Sequence, residues 1–400
     1  MITLEDIRIA RVRIHGGVHV TLCPRSERLG RRTGVDLFLK LENSQLTGSF
    51  KERGACNKLL QLTTAERARG VIAASAGNHA QGVALHAQRE CVEATIVMPT
   101  TTALVKVSAT RSYGAHVVLH GDSYDEAARE AERVRKERGL TLVHAFDDDA
   151  VIAGQGTIGL EILEQVPDVE AVVAPIGGGG LAGGIALAIK ESQPGVAVYG
   201  VETQLVPSMQ QAMQHGAEHV MPAKRSIADG ISTRRVSQRT LELARRYLDG
   251  IVSVEEAEIA EAILALLEDE KTVAEGAGAV ALAAVLSGRL QLQGKRTVLV
   301  VSGGNIDVNL LSRIIDRGLA KSGRTMRVRV LIADVPGTLA SLLATIAQTG
   351  ANVLSIQHDR VAARAPISST VVDIALETRG FDHIRSVEQA LRNAAWHIET

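Results

Sequence analysis

The sequence predicts an α/β protein with a smaller α+β unit at its C-terminus. Short β-branched runs alternate with longer helical patterns through most of the chain, as in a parallel sheet covered by helices. Gly- or Ser-rich turns follow several of the predicted strands, where open α/β sheets place their ligands. Near residue 320 the rhythm changes at a polar stretch, AKSGRT, and the rest of the chain is too short to extend the first fold.

In chain order, VIAAS reads as a strand and HAQGVALHAQRE as the helix after it. ATIVMP leads to a helical stretch ending at Ser112, and AHVVLH to the helix YDEAAREAERVRKERG. AVVAPI, the helix LAGGIALAIKES and VAVYGVE continue the series. One long helical stretch is predicted from Glu255 to Leu286, followed by the strand TVLVV and the turn SGGN. Residues 1–320 form one predicted domain, with a smaller subdomain at about 41–150. In the tail, 326–400, MRVRVLIAD, ANVLSIQHDR and STVVDIALET read as strands, GTLASLLATIAQTG and IRSVEQALRNAA as helices, and WHIET as a short closing strand.

Composition narrows the function. The apolar fraction of 46% and charged fraction of 22% are those of a folded globular chain. A formal net charge of −1 leaves no field to attract nucleic acid or an anionic membrane, so a small zwitterionic partner fits better. Cys23, Cys56 and Cys91 lack metal or redox spacing, and the N-terminus has no signal-peptide core. A cytoplasmic protein is expected. Apolar runs stop well short of the roughly 20 residues a membrane helix needs, so no span is expected.

Four constellations carry chemistry. Lys51, in Thr47-Gly48-Ser49-Phe50-Lys51-Glu52-Arg53-Gly54, lies at a loop-to-helix junction beside a bulky Phe50. Most lysines are solvated surface charges, but one so flanked can be desolvated and used as a Schiff-base amine. Ser75-Ala76-Gly77-Asn78-His79 joins a strand to a helix, where free N–H groups can bind a carboxylate; an ordinary N-cap turn accounts for the same residues. Gly177-Gly178-Gly179-Gly180-Leu181 opens a helix and lets backbone amides close on a phosphate. Gly178, Gly180 and Gly183 also match a dinucleotide fingerprint with Glu202 as its ribose-binding acid, so a dehydrogenase is a rival on this segment. Ser302-Gly303-Gly304-Asn305 follows a strand, and its Ser can face a ring nitrogen or simply make a turn. Together, a reactive lysine, a carboxylate-binding turn, a phosphate cradle and a ring-nitrogen partner are what a pyridoxal-phosphate (PLP) site requires, and a dehydrogenase has no use for the set.

TGSFKERGA, SAGNHAQG, GGGGLAGG, EGAGA and SGGN together resemble the threonine dehydratases among fold type II PLP enzymes, over nearly the whole chain. The resemblance implies two open twisted α/β subdomains. It implies that Lys51 bonds the cofactor, with Phe50 packed on the ring, Asn78 at the ring hydroxyl, Gly177, Gly178, Gly179, Gly180 and Leu181 at the phosphate, and Ser302 at the pyridine nitrogen. Ser75, Asn78 and His79 would hold the substrate carboxylate, using backbone groups at the last two. Serine racemases share most of this pattern but carry a second Ser where this chain has Ala76, so elimination is favoured over racemisation. Serine racemase or serine dehydratase remains the alternative, as does a non-catalytic amino-acid sensor on the same fold.

Two departures from the pattern stand out. The usual Thr-Pro-Leu near the start reads Thr21-Leu22-Cys23, and an aspartate of the racemase cation site reads Ser208, which leaves Glu202 as a possible cation ligand. The tail, with Asp334-Val335-Pro336-Gly337-Thr338-Leu339 at a strand-to-helix turn, resembles an ACT domain. That implies an amino-acid effector, and the family resemblance implies a homodimer or homotetramer.

Overall fold

The computed structural model describes residues 2–359 and 368–399. The chain divides into two compact units, Met1–Asp307 and Val308–Thr400. The division thus falls before a helix, Val308–Lys321, and not within the polar stretch near 320.

The first unit holds two parallel sheets. The smaller runs in the order His116–Leu119, Ala94–Met98, Val71–Ala74, Thr141–Leu142. The larger runs Asp36–Leu41, Arg296–Val301, Ala171–Pro175, Ala197–Thr203, Gly250–Val254. Every residue of Ala94–Met98 and of Ala171–Pro175 is buried, which is why these strands read as unbroken apolar runs and not as alternating ones. Three strands went unpredicted. DLFLKL places Lys40 in the middle of a buried strand, GIVSV is only half-buried, and Thr141–Leu142 is too short to show a period.

Helices Asp149–Gln165 and Gly180–Ser192 lie almost wholly in the interior. They approach closely through small residues: a Cβ added to Gly156 would stand 2.9 Å from Gly184 O, and one on Gly159 2.9 Å from Ala188 Cβ. Beside them Lys40 and Arg53 are fully buried but paired. Glu161 accepts from Lys40 Nζ at 2.6 Å and from Arg53 at 2.5 and 2.8 Å, and Glu42 takes Arg53 at 2.8 Å. The opposite charges balance, the condition under which buried ions persist.

The long helix predicted from Glu255 to Leu286 is two helices, Glu256–Glu270 and Gly276–Leu286. Lys271 ends the first with φ +56, and Glu275 is the N-cap of the second. The break brings the Glu275 carboxyl group next to Gly303.

In the second unit the strands Thr325–Ala333, Asn352–Asp359, Ser369–Glu377 and His397–Glu399 alternate with the helices Thr338–Gln348 and Phe381–Asn393 in a βαββαβ order. The sheet is antiparallel, with the first strand between the third and fourth, a ferredoxin-like arrangement consistent with the ACT-like fold expected. Val330, Ile332, Leu342, Ile346, Ile374 and Leu391 fill its core. Arg360 of the predicted strand ANVLSIQHDR, and Thr400 of WHIET, lie outside the described residues. Gly337 has φ +92 at the start of helix Thr338–Gln348, a backbone that favours glycine.

Candidate active site

The lysine turn is stitched to the SGGN turn by backbone bonds. Ser49 pairs with Gly303 as an isolated antiparallel bridge, Phe50 N–H donates to Ser302 O at 3.1 Å, and Gly304 N–H donates to Gly48 O at 2.9 Å. Gly48 has φ +73 and faces Asn305, so the turn tolerates no side chain there. Lys51 then opens helix Lys51–Leu60. Its Nζ lies 5.0 Å from the Phe50 ring centroid and donates to Ala145 O at 2.8 Å. Burial lowers the ammonium to about 8, against the opposing pull of the Glu275 charge.

The second turn leaves strand Val71–Ala74 and enters helix Asn78–Arg89. Ser75 Oγ accepts from Gly77 N–H at 3.2 Å. Asn78 Oδ1 accepts from Asn305 Nδ2 at 2.7 Å, and Asn78 Nδ2 donates to Glu275 Oε1 at 2.6 Å. Burial raises the Glu275 carboxyl to about 7, helped by the negative charge of Asp229. His79 bonds Val143 O through Nε2 at 2.8 Å. A carbonyl only accepts, so Nε2 carries the proton, and burial holds the ring neutral with a pKa of about 3. Its imidazole is thus tied to Val143, and its backbone N–H lies in the first turn of helix Asn78–Arg89, where N–H groups have no intrahelical acceptor.

The third turn runs from strand Ala171–Pro175 into helix Gly180–Ser192. Gly179 has φ +92, and a Cβ on it would meet Met209 Cε at 2.5 Å. A Cβ on Gly178 would run into the Phe146 ring, and one on Gly180 would stand 2.8 Å from Gln155 Oε1, a buried oxygen with no hydrogen-bond partner among the described residues. Leu181, 6% exposed, packs into the core and anchors the first helical turn. Ala145 and Phe146 connect this turn to the lysine: Ala145 O takes Lys51 Nζ, and the next residue's ring covers Gly178. Ser302 is buried and donates from Oγ to Ala277 O over a long 3.3 Å, so its hydroxyl is loosely held and can turn to another acceptor or donor.

Glu202 stands apart from this group. Its Oε1 accepts from Met209 N–H at 2.6 Å and its Oε2 from Gln210 N–H at 2.9 Å, capping helix Ser208–His215. Ser208, in the aspartate's place, donates to Thr233 O. Glu202 is therefore engaged as a helix cap, and among the described residues no group of three His, Cys, Asp or Glu is placed to hold a metal. Sequence reasoning gave no role to Glu275, Asn305, Gln155 or the Ala145–Phe146 stretch. EGAGA carried the signal for Glu275, but it was hidden inside a helix predicted to be continuous.

The donor set fits pyridoxal phosphate. A partly desolvated amine suits its aldehyde, the backbone N–H groups of a glycine-lined helix N-terminus suit its phosphate, and a neutral hydroxyl suits its ring nitrogen. The site is that of a pyridoxal-phosphate enzyme, and the chain belongs to the pyridoxal-phosphate dependent enzyme family, which matches residues 14–303.

Among individual proteins, the chain is 50% identical over 391 residues to the L-threonine ammonia-lyase of Thermotoga maritima, covering 98% of this chain and 97% of that one. The processed threonine deaminase isoform 2 of Solanum lycopersicum superposes with a TM-score of 0.75 at 37% identity, over 78% of this chain and 86% of that one. Maize serine racemase gives the same TM-score of 0.75 at 32% identity, over 80% of this chain and 98% of that one. No helix among the described residues is long and apolar enough to cross a membrane.

Proposed function

We propose that this chain is an L-threonine ammonia-lyase that converts L-threonine to 2-oxobutanoate and ammonia, and L-serine to pyruvate and ammonia. The observation that carries the reading is the buried amine of Lys51, tied through Phe50 and Ser49 to the Ser302 turn and through Ala145 and Phe146 to the glycine turn. The whole-chain likeness to a threonine ammonia-lyase supports the substrate.

In this reading Phe50 packs on the cofactor ring, Asn78 faces its hydroxyl, Gly177 to Leu181 hold its phosphate and Ser302 faces its nitrogen. Bound pyridoxal phosphate supplies an electron sink for the pair left when the Cα proton departs. Lys51 Nζ, as a neutral amine, takes that proton. Ser75 and the backbone N–H groups of Asn78 and His79 hold the substrate carboxylate, which orients the Cα–H bond toward the lysine. The β-hydroxyl leaves as water and one water returns on hydrolysis, so threonine yields 2-oxobutanoate and ammonia with no redox change. With Ala76 in place of a second hydroxyl, this turn has no side-chain acid to return a proton to the opposite face, which favours elimination over racemisation.

The ACT-like unit is read as the seat of an amino-acid effector, and the protein as a cytoplasmic homo-oligomer. The effector is tested together with the activity. The purified protein with pyridoxal phosphate should release 2-oxobutanoate from L-threonine, faster than pyruvate from L-serine, and isoleucine should change the rate. D-serine formed from L-serine would place the chain with the racemases instead.

A further inference from the structure

The geometry points to Glu275 as a positioning residue: it fixes the Asn78 amide so that one Nδ2 hydrogen remains to face the hydroxyl of the cofactor ring. This rests on the pyridoxal-phosphate reading above.

The hydrogens of two amides fix their orientations. Asn305 Nδ2 carries two, and both are used, by Thr47 O at 2.6 Å and by Asn78 Oδ1 at 2.7 Å. Asn78 must therefore turn its oxygen toward Asn305, and its NH₂ points the other way. One of those two hydrogens goes to Glu275 Oε1 at 2.6 Å. The other has no acceptor in this network and is free for a ligand.

Glu275 is itself held in place. Its N–H donates to Gly303 O at 3.0 Å, and its Oε1 lies so close to Gly303 that any side chain there would collide with it. Gly303 pairs in turn with Ser49, two residues before Lys51. One residue thus links the lysine turn, the Asn78 turn and the Ser302 turn. A carboxyl group on a residue only 6% exposed is costly to bury, and this one is not needed to close its own helix, since it makes no side-chain cap bond there. Remove its oxygen and the Asn78 NH₂ loses its acceptor, which leaves the amide held only at its oxygen by Asn305 and free to pivot about that bond.

The test is a double-mutant cycle on the bound cofactor, read in two ways besides turnover: the dissociation constant for pyridoxal phosphate and the position of its visible absorption band. Glu275→Met fills the same space without an acceptor, Glu275→Gln keeps a carbonyl acceptor, and Asn78→Ala removes the group being positioned. Glu275→Met is expected to weaken cofactor binding roughly tenfold, as coupled neighbours do, and to move the band. Glu275→Gln, which also carries the test if the Met protein does not fold, should keep the wild-type band and an affinity within about threefold of wild type. Added to Asn78→Ala, Glu275→Met should do no further harm. Losses that simply add in the double variant, or a Gln variant as impaired as the Met variant, overturn the assignment of Glu275 alone. A wild-type protein that takes up no pyridoxal phosphate overturns the cofactor reading itself.

Discussion

Lys51 Nζ lies 2.8 Å from the carbonyl oxygen of Ala145, a neutral acceptor and not a carboxylate. A buried ammonium with no direct counter-ion gives up its proton more readily, and the group falls to about 8 for that reason. Two predictions concern this amine.

Lys51→Ala should lower 2-oxobutanoate formation by at least about 10³-fold, the scale of a lost general base. Asn78 and Ser302 are untouched by the change, so pyridoxal phosphate should still bind, without the visible band of the wild type. Spectra and turnover on the same samples check both outcomes.

The sign of the pH dependence comes from the same group. Below about 8 Lys51 is protonated and cannot add to an aldehyde; above it the amine is neutral. The rate of covalent pyridoxal-phosphate uptake by the apo-protein should therefore rise with pH, about tenfold per unit well below 8, and level off above it. Stopped-flow absorbance from pH 6 to 9 measures this, and a rate independent of pH would remove Lys51 as the group that titrates.

Gly178→Ala would drive a methyl group into the Phe146 ring. Overpacking of this kind costs about 1–3 kcal/mol and displaces the turn. Affinity for pyridoxal phosphate should fall while affinity for phosphate-free pyridoxal changes little, which titration of both compounds resolves.

Arg53→Met would leave Glu42 and Glu161 buried with too little positive charge. Breaking such a network costs about 3–5 kcal/mol. A lower urea midpoint is expected, and it should partly recover when Glu42→Gln is added.

Glu202 has its carboxyl raised to about 7 by burial, so it binds a proton more tightly in the folded protein than in the unfolded chain. Its contribution to stability is fully present below about 4.5 and is lost as pH rises through about 7. Glu202→Gln should flatten that part of the stability profile, and added Mg²⁺ should not restore the slope.

The turns that meet in this candidate site were legible in the sequence because each is local. Lys51, Asn78, the glycines from Gly177 to Gly180 and Ser302 each lie on a short turn whose residues announce a special backbone or a reactive group. What joins them was not legible. Glu275 and Asn78 are 197 residues apart, and Asn305 and Thr47 258 apart, so their contact depends on how the sheets fold together. The fold shows the same division. Buried strands such as ATIVM read as strands from their apolar runs, while DLFLKL was hidden by Lys40, whose charge is satisfied by Glu161, distant in sequence. Glu202 fitted a ligand pattern by spacing, and only the backbone N–H groups of Met209 and Gln210 reveal it as a cap.

The most direct test of the central claim, that Lys51 is the amine to which the cofactor attaches, is to treat the protein bearing pyridoxal phosphate with borohydride and map the modified residue by peptide mass spectrometry. A single pyridoxyl-phosphate label on Lys51 is the expected result. A label on another lysine, with Lys51 unmodified, would contradict the account.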